Sequence, residues 1–126
     1  MASLPPEPIL PASVAPLIVR HDPAALVQQW EALHLQAAQL AALAQIASEN
    51  ELTAFARLAE QARGWQLQLA AQGLEDIAAM LRPGLAALAT LTARGQDAAA
   101  PALALWREFH AARASVLASL QVVEAV

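Results

Sequence analysis

Residues 22–47 read DPAALVQQWEALHLQAAQLAALAQIA, and this stretch decides the fold. Leu26, Trp30, Leu33, Ala37, Leu40, Ala44 and Ala47 alternate spacings of four and three, which puts them on one face of a helix. A second stripe, Leu35, Ala38, Ala42 and Ile46, widens that face, so the helix expects more than one neighbour. Asp22 is placed as its N-cap and Pro23 at its first position, where the missing backbone donor costs nothing.

Upstream, the character of the chain changes. Six of the eight prolines, Pro5, Pro6, Pro8, Pro11, Pro16 and Pro23, fall in the first 23 residues, and residues 24–82 contain none. Proline removes a donor and breaks helix interiors, so the pattern predicts an extended arm over 1–23 and a helical body over 24–126. Ile9, Leu10, Leu17, Ile18 and Val19 make the arm too apolar for a plain linker and mark it as a strap for its own body or for a second copy.

Downstream, Ser48-Glu49-Asn50-Glu51 has the form of a capping box that opens a second helix. Gly73 is placed to end it, and Leu74, Ile77, Leu81, Leu85, Leu88 and Leu91 carry a third helix across Pro83, which is expected to bend it. An unbroken helix from 49 to 82 with Gly73 inside it is the alternative, at a cost of about 1 kcal/mol relative to alanine. Arg94-Gly95 supplies a stop, and a last helix follows with Pro101 in its first turn. The fold class expected is all-α: an antiparallel bundle of about four helices over 24–47, 49–72, 74–94 and 98–123.

Composition narrows the functions open to such a bundle. With no cysteine, thiolate metal sites, disulfides and thiol nucleophiles are excluded. The seven basic residues are all arginine, dispersed along a chain of net charge −4, so nucleic-acid binding by phosphate neutralisation is not expected. Polar residues interrupt every apolar run, which argues against a transmembrane segment. The first residues lack the basic, unbroken apolar pattern of a secretory signal, and the expected location is the cytoplasm. Charged residues make up 14% of the chain against roughly a quarter in ordinary domains, so part of the surface is expected to meet a partner.

No motif supports catalysis, and no cofactor is expected. Glu31 and His34 form the Glu-x-x-His half of a two-metal bundle site, but no second such pair follows, and the bland reading is a surface or boundary histidine. His110 to Ser115 echoes the His-x-x-Lys-Gly-Ser stretch of histidine phosphotransfer domains, departing from it at Ala114 and in lying on the final helix. Trp30, Trp65 and Trp106 fall one per helix, as core fillers or as interface anchors.

Trp30-Glu31-Ala32-Leu33 opening a long helix, a polar link at Ser48-Glu49-Asn50, and Leu52 to Leu58 leading a second helix together resemble small flagellar export chaperones of the FliT/FlgN type, over residues 30–71. The resemblance implies a cytoplasmic protein whose C-terminal helix contacts a secreted partner. It makes Trp106, Phe109, Val116 and Leu120 the contact candidates, to which the apolar arm adds Ile9, Leu10, Leu17 and Ile18. Three classes of function stay open: a protein-binding or adaptor protein that meets a partner or a second copy, a phasin-like protein covering a hydrophobic surface, and a small metal-binding or phosphotransfer bundle.

Overall fold

The computed structural model describes residues 22–121, and the arm with its Ile9, Leu10, Leu17 and Ile18 lies outside them. Four helices account for the fold: α1 Pro23–Ala44, α2 Leu52–Gln61, α3 Gly64–Ala93 and α4 Ala99–Gln121. The all-α class and the four-helix bundle follow from them. The three long helices pack on one another, while α2 lies mainly against α1. Trp30, Phe55, Phe109, Leu40, Leu74 and Leu81 are fully buried at the centre.

The entry to α1 is as the sequence reads. The Asp22 carboxylate accepts from the Ala25 amide at 2.7 Å, and Pro23 takes the first helical position. The exit is earlier than expected. Gln45 adopts φ 62°, its amide donates to the Ala42 carbonyl and the Ile46 amide to Ala41, a Schellman ending with glutamine where glycine is usual. The reversal turns Ile46 back against the core.

The capping box at Ser48 does not form. Residues 46–51 are irregular, Glu51 holds the N-cap position of α2 at φ 48° without a side-chain cap, and the Asn50 side chain accepts from the Leu52 amide instead at 3.1 Å. The cause is long-range: two buried donors, Trp30 Nε1 and Arg113, take the carbonyls of Asn50 and Glu49. With those carbonyls turned inward, helix cannot begin before Leu52.

The expected break at Gly73 moves as well. The chain interrupts its helix at Ala62 and Arg63, both extended, and α3 then runs unbroken through Gly73 and Pro83. Gln66 fixes that new boundary: its Oε1 accepts from the Arg63 amide at 2.8 Å, and its Nε2 donates to the Ser119 carbonyl of α4 at 3.1 Å. Gly73 serves packing instead, since a Cβ there would stand 2.8 Å from Val116 Cγ2. Gly84 has the same relation to Leu105. Two glycines eleven residues apart therefore let α3 and α4 approach closely along their length. Pro83 and Ala79, whose carbonyl loses a donor to proline, are both on the exposed side of α3.

Arg94-Gly95 does end α3. Gly95 sits at φ 75°, its amide donating to Thr92 and that of Gln96 to Leu91, after which the Asp97 carboxylate caps the Ala99 amide and α4 returns antiparallel.

Candidate functional site

Among the described residues the candidate sites are a buried polar cluster under the α1–α2 link and an apolar groove between α3 and α4. The cluster begins with Trp30, whose ring stacks on Phe55 of α2 with centroids 3.9 Å apart. A buried indole N–H needs an acceptor, and this one donates to the Asn50 carbonyl at 2.6 Å. One turn further along α1, His34 is also buried, with Nδ1 3.0 Å from the Trp30 carbonyl. A carbonyl only accepts, so Nδ1 carries the proton and Nε2 of the neutral ring presents its lone pair. Arg113 of α4 fills that position: Nη1 lies 3.2 Å from His34 Nε2 and donates to the Glu49 carbonyl at 2.8 Å.

The arrangement favours neutral imidazole. Burial pushes the His34 pKa below its ordinary 6.5; the bond to the Trp30 carbonyl opposes this, Arg113 adds to it, and the Glu51 carboxylate opposes it. Arginine stays charged throughout the accessible pH range, and its guanidinium carbon lies 5.6 Å from the Phe109 ring centroid, a cation–π contact inside the bundle. Above the cluster lies a cleft of about 790 Å³ lined by Glu31, His34, Leu35, Glu49, Glu51 and Leu52. Leu35 is 73% exposed at its edge.

Glu31 and His34 do not form a common ligand set, because Glu31 is exposed while His34 turns inward to Arg113. Among the described residues no three His, Cys, Asp or Glu side chains converge to hold a metal. The His110 to Ser115 stretch is divided in the same way, with His110 and Ser115 exposed and Arg113 buried.

The groove between α3 and α4 measures about 450 Å³ and is lined by Leu69, Gly73, Ile77, Met80, Ala112 and Val116. Asp76 is its one charged lining residue. Leu69 is 54% exposed at its rim, one turn along α3 from the 40% exposed Trp65. This places the contact candidates of α4 differently from the sequence reading. Phe109, Val116 and Leu120 are core residues, Trp106 is half-buried against Phe109, and only Val116 also reaches a groove wall. Their apolar spacing marked the face of α4 that the bundle itself consumes. Arg113 and Gln66 escaped the sequence reading because long polar side chains on a helix are usually solvated; a charged residue in phase with Phe109, Val116 and Leu120 was the available signal.

No helix among the described residues is long and apolar enough to cross a membrane. Comparison with protein-family models, with curated proteins and with solved structures finds no match.

Proposed function

We propose that the chain is a non-catalytic protein-binding module, an adaptor or export chaperone, that receives an apolar helical segment of a partner in the α3/α4 groove. The observation that carries this reading is the groove itself: an apolar trough along two helices, with Leu69 exposed at its rim and a floor where Gly73 packs against Val116. Grooves of this kind accept the apolar face of an amphipathic helix. Asp76, the single charge in the lining, favours a partner segment carrying Arg or Lys beside its apolar residues. The resemblance to export chaperones over residues 30–71 supports the same class of partner.

A photo-crosslinking residue at Leu69, with one at exposed Gln39 of α1 as control, tests the reading in the native host. The expected result is an adduct to a protein other than this chain from position 69 alone. A peptide of the crosslinked segment should then bind the purified chain and lose at least about tenfold in affinity to Leu69→Glu, the loss expected when a charge is buried in an apolar contact. Equal adducts from both positions, adducts only to a second copy, or a peptide indifferent to Leu69→Glu would overturn it.

A further inference from the structure

The proposed partner site makes no use of the His34–Arg113 cluster, although its buried side chains tie α1, the link and α4 together. We infer that it is a proton-sensitive latch, in which neutral His34 seats the Arg113 guanidinium that holds the α1–α2 link closed through the Glu49 carbonyl. The geometry gives each member one task. His34 is fixed in orientation by its Nδ1–H bond to the Trp30 carbonyl, and it offers Arg113 a lone pair at Nε2. Arg113 uses one nitrogen, Nη1, for both His34 and the link. The second fastening of the link, from the Trp30 indole to the Asn50 carbonyl, lies one residue on.

Adding a proton to Nε2 removes the acceptor and sets an imidazolium against a guanidinium 3.2 Å away inside the bundle. The Arg113 guanidinium has no acceptor to offer the new N–H. It must move, and the Glu49 carbonyl loses its donor when it does. The other charged groups facing the cluster are Glu49 and Glu51 from the link and Glu31 from α1, all exposed around the cleft; the α2 residues lining it, Leu52, Thr53 and Ala54, carry no charge. Glu51 attracts the imidazolium, and burial together with Arg113 opposes it.

The sign follows from linkage. Burial and Arg113 lower the His34 pKa from 6.5 in the closed link, and an opening that frees His34 of both raises it back toward that value, so opening takes up protons as pH falls below about 6.5. Between the two pKa values the open fraction rises by at most about tenfold per pH unit. A fall in pH thus releases the link and widens the cleft bounded by Glu31, Leu35 and Glu51, while Trp30 stacked on Phe55 keeps α2 docked on α1.

The test uses the full chain and nuclear magnetic resonance. Ring-nitrogen shifts of His34 report its tautomer and titration, and exchange of the Trp30 indole proton, corrected for its intrinsic pH dependence, reports the link. Expected are an Nδ1–H tautomer at pH 8, a His34 titration below 6.5, and indole exchange that accelerates with the same midpoint. His34→Gln should abolish the acceleration and His110→Gln should leave it intact. An Nε2–H tautomer, an exchange rate independent of His34 titration, or acid opening that survives His34→Gln would overturn the inference. Should His34→Gln not fold, coincidence or mismatch of the two wild-type midpoints decides alone.

Discussion

Gly73→Ala separates the two roles a glycine can have inside a helix. Were Gly73 an ordinary interior position of α3, alanine would stabilise the protein by about 1 kcal/mol through propensity alone. In this bundle the new Cβ would stand 2.8 Å from Val116 Cγ2, at least 0.6 Å inside the 3.4 Å at which ordinary contact begins. Val116 is buried, β-branched and restricted at χ1, so it cannot swing clear, and overpacking of this kind costs about 1–3 kcal/mol. The net expectation is a loss of about 0–2 kcal/mol where propensity alone predicts a gain. The decisive measurement is a double-mutant cycle by urea unfolding. In a Val116→Ala background the opposing methyl is gone, and Gly73→Ala should become stabilising by about 1 kcal/mol. A change of sign between the two backgrounds, with a coupling of about 1–3 kcal/mol, supports the close approach of α3 and α4. Gly73→Ala stabilising both backgrounds equally would refute it and return Gly73 to the role of a weak point in the helix.

Other substitutions probe the links. Arg113→Ala should cost about 2–4 kcal/mol in denaturant unfolding, because it leaves the His34 Nε2 and Glu49 carbonyl acceptors without their donor and opens a cavity beside Phe109. Gln45→Gly should raise stability by about 0.5–1 kcal/mol, since Gln45 holds φ 62° at the end of α1 and glycine takes that conformation without strain; a loss of stability would place that residue elsewhere in φ. Global stability should be insensitive to His34 above pH 6.5 and should fall below it, approaching a slope of about 1.4 kcal/mol per pH unit until the folded-state pKa is passed. The same unfolding series on His34→Gln should lack that component.

The legible parts of this fold were those whose causes are local. Asp22-Pro23 and Arg94-Gly95 carry their instructions within a few residues, and both act as read. The seam Leu26, Trp30, Leu33, Ala37, Leu40 and Ala44 is buried along its length because a helical period survives any arrangement of neighbours. Ser48 to Glu51 satisfied the same kind of local rule and failed. A capping box contributes at most a pair of hydrogen bonds at an exposed helix end, whereas an unpaired indole or guanidinium inside the core costs more than such a pair returns. Trp30 and Arg113 therefore decide how the link runs, and they stand 20 and 64 residues from the carbonyls they claim.

The same logic governs the break between α2 and α3, where the one local signal is Gly64, the first residue of α3. A single side chain, Gln66, caps the Arg63 amide and binds the Ser119 and Leu120 carbonyls of α4. The break at residues 62–63 is thus tied to a helix 53 and 54 residues further along the chain. Arg113 stands in a similar relation to the link after α1, tying a carbonyl of residues 46–51 to the far helix. In a chain with so few charges, the buried polar residues His34, Gln66 and Arg113 each bind main-chain carbonyls, and two of them serve backbone discontinuities, Arg113 at the Glu49 carbonyl and Gln66 at the Arg63 amide. That placement bears on the low charge content as well. It reflects an interior that fastens its own turns with neutral and singly charged groups, and it leaves the proposed partner surface to the rim of the α3/α4 groove, where Leu69 is exposed beside apolar walls among the described residues.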